Sequence, residues 1–283
     1  MNNSDVYFQN ALIPPPEMKS EVIKYTRVAI DSKDRDKSLF PNANSYEIKL
    51  NNEIDDVVSA KLINADIPLS MYLINKYFDT LTVEYNGSTH NIMLEHGDYQ
   101  DTQLATMITT ALNNAFGANT FIVTYNANKD NYVFASTNEF SLVFGASKNS
   151  LDALLGFGKR TYASSMTGDA PYTHIIKGEY RKNFDYNNCL IMYIDHFDSY
   201  HSPTNEIDKC FAILPAVYTM LNISASPELI KIFSPPIPRL TKLVISFLDR
   251  YGNPYDFCNM EHRFEILVKS HKQARKYFQI FAD

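Results

Sequence analysis

The sequence has no tryptophan, and its three cysteines, Cys189, Cys210 and Cys258, are odd in number and too widely spaced for a zinc-ligand pattern. That excludes a disulfide-stapled scaffold and a small zinc module. Thiols serving as small apolar side chains in a reducing compartment are expected instead. No apolar run approaches the ~20 residues that cross a bilayer as a helix. The basic-then-apolar pattern of a secretory leader is missing at the N-terminus, where Asn2, Asn3, Ser4 and Asp5 stand. Synthesis in the cytoplasm is therefore expected. Cationic charge is also short: 26 Lys and Arg against 32 Asp and Glu leave a net −6. A chain that sheathes phosphates would carry the opposite balance, which argues against nucleic acid as a partner. The one basic cluster, Lys269, His271, Lys272, Arg275 and Lys276, reads as a solvated end of the chain.

What is present points to strands. The aromatic share of 13% is all Tyr and Phe, residues suited to half-buried pleated surfaces. Arg27 to Ser70 sets the organisation. Val28, Ala29 and Ile30 form a short apolar run that breaks into the charged stretch Asp31–Lys37. Tyr46, Ile48 and Leu50 then alternate with Glu47 and Lys49, the period of a strand with one buried face. A turn is expected over Asn51–Asp56, then a strand from Val57 to Ile67 closed by Pro68. Leu81, Val83 and Tyr85 lead into Asn86-Gly87, a strong hairpin signal, with Ile92 and Leu94 on the return. A second hairpin spans Phe121–Phe134, and further strands are expected at 141–144, 189–194, 210–214, 218–223, 229–233, 240–248 and 264–268. Ser234-Pro235-Pro236-Ile237-Pro238 reads as an extended turn.

One amphipathic helix interrupts the strands. Leu104, Met107, Ile108, Ala111, Leu112 and Ala115 fall on a single stripe over residues 101–116, with Asp101 as N-cap and Gly117 as the stop. Thr106, Thr109, Thr110 and Asn113 form its opposite, wet face, and the helix should lie on the first sheet. The fold class is thus mainly β, of β-sandwich or jelly-roll type, in two consecutive sandwich-like halves. Residues 25–165 make the first β-rich domain and 166–283 the second, the Thr/Ser/Gly-rich stretch 159–171 linking them. Residues 1–24 form an extended arm. Pro14, Pro15 and Pro16 favour polyproline geometry, and Tyr7, Phe8, Leu12 and Ile13 give the arm apolar surface to bury. These seven residues are the candidate interaction site.

Motifs that would carry chemistry fail on inspection. Gly156-Phe157-Gly158-Lys159-Arg160 lacks the first glycine and the final hydroxyl residue of a phosphate loop. Asp31, Asp34 and Asp36 start like a calcium loop but lack its glycine and closing glutamate. Asp195, His196, Asp198 and His201 match no metal-ligand spacing on a helix face. Cys189 and Cys210 lie in apolar strands, where thiols are inert. No catalytic residues, metal, cofactor or small-molecule substrate are expected.

Several segments together carry a resemblance. Ile30-Asp31-Ser32, Asp34-Arg35, Pro41-Asn42, Val57–Leu62 and Ile67-Pro68 occur in an order that resembles structural proteins of nucleocytoplasmic large DNA viruses. Gly97-Asp98-Tyr99 leading to Leu104, the Leu151–Phe157 element, and Asp249, Gly252, Tyr255-Asp256-Phe257 and His262–Leu267 are similar to the same proteins. Together these cover most of 26–160 and about 238–270. The resemblance implies a minor capsid protein of a large icosahedral virus, located in the virion. Its expected partners are the major capsid protein, other minor capsid proteins and further copies of itself. The alternative is a β-sandwich recognition module, such as a spike or fibre base that binds a glycan or a host protein.

Overall fold

The structure, a computed structural model, describes residues 23–145, 150–184, 189–205, 207–215 and 230–271. The arm residues Tyr7, Phe8, Leu12, Ile13, Pro14, Pro15 and Pro16 and the expected strand 218–223 lie outside the described residues.

Strand β1 (Ile23–Asp31) ends in a 3-10 turn at Ser32–Asp34, and β2 runs from Ser45 to Asp66 without a break. The Asn-rich segment expected to turn is thus part of one strand. It pairs with β13 (Ile230–Asp249), and the mismatch is taken up by bulges. Lys242 faces Lys49 while Leu240 faces Ile54, so β2 holds the extra residues there. Ile232 faces Ser59 while Ile237 faces Val57, so β13 holds extra residues around Pro235 and Pro236. Prolines, which lack a ladder N–H, are tolerated at such bulges, so the expected proline turn is a bulged strand. The remaining partners are β11 (Cys189–Ile194), β12 (Ala212–Pro215) and β14 (Arg263–His271). They complete the order β1-β14-β2-β13-β11-β12.

This ladder folds back on itself. Were β2 straight, Ser45 and Ala65 would be ~65 Å apart at ~3.3 Å per residue. Yet the Phe247 ring, whose backbone bonds to Asn44 beside Ser45, lies 6.4 Å from the ring of Phe264, the partner of Ala65. Phe233 and Phe197 meet in the same way at 5.1 Å. The bend falls at Asp56, which has φ 51°. β1, β14, residues 57–66 and residues 230–239 form one layer; residues 45–54, 240–249, β11 and β12 form the other. The inner faces of both layers close over a core that includes Tyr46, Leu62, Met192, Phe211, Phe247 and Phe264.

A second core is built from residues 74–176. β3 (Thr80–Tyr85), β4 (Ser88–Met93), β7 (Phe140–Val143) and β8 (Thr161–Ala163) form a sheet in the order β4-β3-β7-β8. β5 (Phe121–Asn126), β6 (Asn131–Ser136), β9 (Ser165–Met166) and β10 (His174–Lys177) form another in the order β5-β6-β10-β9. Phe121 from one sheet packs on Tyr85 and Phe140 from the other, at 5.4 and 5.1 Å. The first core takes residues 28–67 and 190–268, so the two buried clusters do not follow the expected cut at 165/166. β1 and β2 find their partners, β14 and β13, more than a hundred residues later. Nor is 159–171 a linker: β8 and β9 lie within it and pair with β7 and β10, one in each sheet.

Helix α1 (Asp101–Phe116) has the expected bounds and buries Leu104, Ile108 and Leu112. Gln100 is the N-cap; its N–H donates to Gln103 Oε1 at 2.9 Å. Asp101 instead pairs with Lys182 at 2.7 Å. The supposedly wet face is partly engaged. Val123 N–H donates to Thr109 Oγ1 at 2.9 Å. Thr120 and Phe121 N–H donate to Asn113 Oδ1, and Asn113 Nδ2 donates to Phe121 O. These side chains cover the outer edge of β5, which would otherwise present unpaired backbone groups. Asn113→Ala leaves three of those groups without their partner. The expected result is a loss of about 1–3 kcal/mol in denaturant unfolding, with Thr106→Ala, on the exposed side, close to neutral.

The two cores meet through the Asp249–Asp256 turn. Tyr251 packs on Phe78 at 5.1 Å, and Tyr77 Oη donates to Pro254 O at 3.1 Å.

Candidate interaction surface

Part of the segments that carry the sequence resemblance, Ser32, Arg35, Pro41 and His262, converges at one end of the first sandwich. Ser32 and His262 exchange two bonds: Ser32 N–H donates to His262 O, and His262 N–H donates to Ser32 Oγ, both at 2.8 Å. Ser32 Oγ–H donates to Glu261 Oε2 at 2.5 Å. Arg35, 6% exposed, spreads its guanidinium over the connection from β1 to β2. Nε reaches Phe40 O at 2.9 Å, Nη1 reaches Ser32 O at 2.7 Å and the Glu261 carboxylate, and Nη2 reaches Pro41 O at 3.0 Å. Lys37 meets the second Glu261 oxygen at 2.8 Å. Desolvation alone would raise the pKa of Glu261; bonds from Lys37, Ser32 and Arg35 outweigh it and hold the group down to about 2.

His262 sits behind this clamp, 3% exposed, against the rings of Tyr46, Phe247 and Phe257 at 5.6, 4.6 and 4.7 Å. Its Nε2 is 3.0 Å from Ala43 O; a carbonyl can only accept, so Nε2 carries the proton. Nδ1 has no partner among the described residues. Burial lowers the pKa of this imidazole to about 4, keeping it neutral. Burial also pushes up the Tyr46 phenol. The arrangement fixes a loop and the layers it joins. An open concavity of about 690 Å³, lined by Asp31, Pro68, Met260 and Glu261 among others, lies beside it.

The other candidates are also structural. Asp249 is fully buried and accepts from the N–H groups of Tyr251 and Asn253, both at 2.8 Å, and from Asn253 Nδ2 at 3.0 Å. It shapes the turn whose residues carry the C-terminal part of the resemblance. Gly156 takes a left-handed φ of 84° at the stop of α2 (Asp152–Leu155), and a Cβ there would lie 2.5 Å from Tyr180 O. Its place is set by close packing. Asp36 accepts from Ser38, and Asp31 accepts from Lys33 N–H at the head of the 3-10 turn. His196 and His201 are exposed and contact Asp195 and Asp208 singly, and no group of three metal-ligating residues gathers among the described residues. Burial pushes the Cys210 thiol up to about 12, far from a reactive thiolate.

The surface is more informative. Because β2 doubles back, the outer edge of β1 and the outer edge of residues 45–54 face each other across a groove of about 1390 Å³. It is lined by the whole of 24–30 and 47–54, with Leu39 and Phe40 at one end. Leu39 and Tyr25 are 70% and 63% exposed. A shallower concavity lies between β4 and α1, beside the exposed Met93, with Tyr99 as its aromatic. The arm residues named from the sequence lie outside the described residues, and the groove went unnoticed in the sequence because it depends on the bend in β2. No helix among the described residues is long and apolar enough to cross a membrane.

These features define a β-sandwich protein with two cores, a fixed end and an open side. The chain belongs to a family of unknown function, DUF5901, whose model matches residues 18–211. No curated protein matches it. Among solved structures it is similar to the selenomethionine-labelled mavirus penton protein, with 9% identity and a TM-score of 0.44 over 87% of this chain and 99% of that one.

Proposed function

We propose that this chain is a structural, non-enzymatic component of a virus particle: a minor capsid protein of a large icosahedral DNA virus. It would bridge major-capsid capsomers through its sandwich surfaces and through residues 1–24. One observation carries the reading. The residues that resemble large-virus structural proteins (Ser32, Arg35, Asp249, His262) are spent on holding layers and turns together. Ser32, Arg35 and Asp249 line none of the described cavities, and His262, which borders an open concavity of about 690 Å³ with Asp31, Pro68 and Glu261, is itself 3% exposed and held to Ala43 O. A protein selected for rigid surfaces would show this distribution. A glycan-binding module would instead present a concave aromatic patch; the concavity beside α1 offers only Tyr99, and the groove along β1 only Tyr25 and a Phe40 packed on the core.

The test is co-expression with the major capsid protein of the virus that encodes it. The chain should co-sediment with assembled shells, and removal of residues 1–24 should lower its incorporation several-fold while its thermal transition persists. A chain that stays at the top of the gradient, or an arm deletion that incorporates fully, overturns the respective part of the reading.

A further inference from the structure

The groove between β1 and residues 45–54 has the geometry of a missing strand. Among the described residues, β1 is laddered only to β14, and 45–54 only to β13. Two edges with unsatisfied N–H and C=O groups thus border one cleft, whose floor includes the half-buried Ile48, Leu50 and Phe40 packed on the core. Natural sheets cover or blunt such edges.

We propose that residues 272–283 of this same chain dock in the groove as an additional strand along 45–54. Continuity is the first argument. β14 pairs Ser270 with Val57 and His271 with Ile23, which delivers the chain at the bend, beside the start of the unpaired edge. Polarity is the second. A chain running on from His271 lies antiparallel to 45–54, the sense of every ladder in this sheet. The N-terminal arm also leaves from the bend, at Ile23. Laid back along 45–54 it would run parallel to it, and Pro14, Pro15 and Pro16 have no N–H to give. The third argument is length and composition. The twelve residues 272–283 can span 45–54, and they carry Tyr277, Phe278, Ile280 and Phe281, apolar side chains suited to the groove floor. Docking would close the open side of the sandwich. The inference does not depend on the capsid reading.

Hydrogen–deuterium exchange on the purified full chain tests it. Amides of 45–54 should exchange about tenfold faster once residues 272–283 are removed, the change expected for losing roughly one net backbone hydrogen bond each. Those of 189–194 should be unchanged. A peptide of residues 270–283 added in trans should restore protection. Ile280→Pro in the full chain should give the same local loss should the deletion fold poorly. Independently, spin labels on Lys49→Cys and Gln279→Cys should give one short, narrow distance distribution. Unaltered exchange at 45–54, or a broad distribution, overturns the proposal. So does protection that appears only as concentration rises together with a dimer in light scattering, because the segment would then be exchanged between copies.

Discussion

Arg35→Ala should cost this protein about 3–5 kcal/mol of stability, the range seen when one member of a buried, hydrogen-bonded charge pair is removed. The side chain serves three main-chain carbonyls, of Ser32, Phe40 and Pro41, besides the Glu261 carboxylate. Truncation removes the side-chain donor from Phe40 O and Pro41 O, while Ser32 O keeps the Arg35 N–H and Glu261 keeps Ser32 and Lys37, in a site where the Arg35 side chain is 3% exposed. Arg35→Lys should recover little, because an ammonium cannot reproduce the planar fork that reaches Phe40 O and Pro41 O together. Lys37→Ala removes the partner that is 59% exposed and should cost under about 1 kcal/mol. Urea unfolding with a common slope measures all three. An Arg35→Ala loss below about 1 kcal/mol would mean the loop 32–44 relaxes into water and the clamp does not hold the layers. Against total stabilities of about 5–15 kcal/mol for a domain, the expected loss is enough to unfold a sizeable fraction of molecules.

How much of this was legible in the sequence follows from the range of each interaction. α1, the Asn86-Gly87 hairpin and the β5–β6 hairpin depend on contacts within about a dozen residues. Their periodicity and turn chemistry gave them away. Asn86 and Gly87 take φ 50° and 78°, as an Asn-Gly hairpin turn requires. The helix face bearing Thr109 and Asn113 was misjudged because its partner is not an apolar surface but the backbone of β5, which leaves no hydrophobic stripe to see. The long β2 was split because Asn51 and Asn52 look like a turn. In the molecule they sit in a bulge on an exposed edge, where polar side chains are equally at home. The interleaved cores were hidden for another reason. Each strand's inner face reads the same whichever strand it pairs with, so alternation cannot say that β14 inserts between β1 and β2. The clamp shows the same limit: Arg35 and His262 stood out in separate segments, but Glu261 is 226 residues from Arg35 and no spacing ties the two together.

The second large effect is on acid stability. His262 has its pKa lowered to about 4 from 6.5 by burial among aromatic rings, and Glu261 has its own lowered to about 2 from 4.5. Both folded-state values lie below the unfolded ones, so both contributions are fully present above the unfolded pKa and are lost as pH falls toward the folded one. For His262 the window runs from pH 6.5 down to about 4. The unfolded chain takes up a proton there that the fold refuses, since the ring's free Nδ1 has no acceptor among the described residues and a charge would sit against Tyr46, Phe247 and Phe257. Linkage gives a loss of about 2 kcal/mol by pH 5 and about 3 kcal/mol by pH 4 from this residue alone. Glu261 follows between about pH 4.5 and 2, with a smaller effect because its side chain is 30% exposed and screened by solvent. His262→Phe keeps a ring in the pocket and removes the titration. Its stability should start lower at pH 7, from the lost bond to Ala43 O, yet stay nearly flat between pH 6.5 and 5, where the native protein declines. Parallel urea titrations of the two proteins at pH 7, 6, 5 and 4 measure the difference. Equal slopes in that window would show that the imidazole accepts its second proton in the folded state, and that water reaches the clamp.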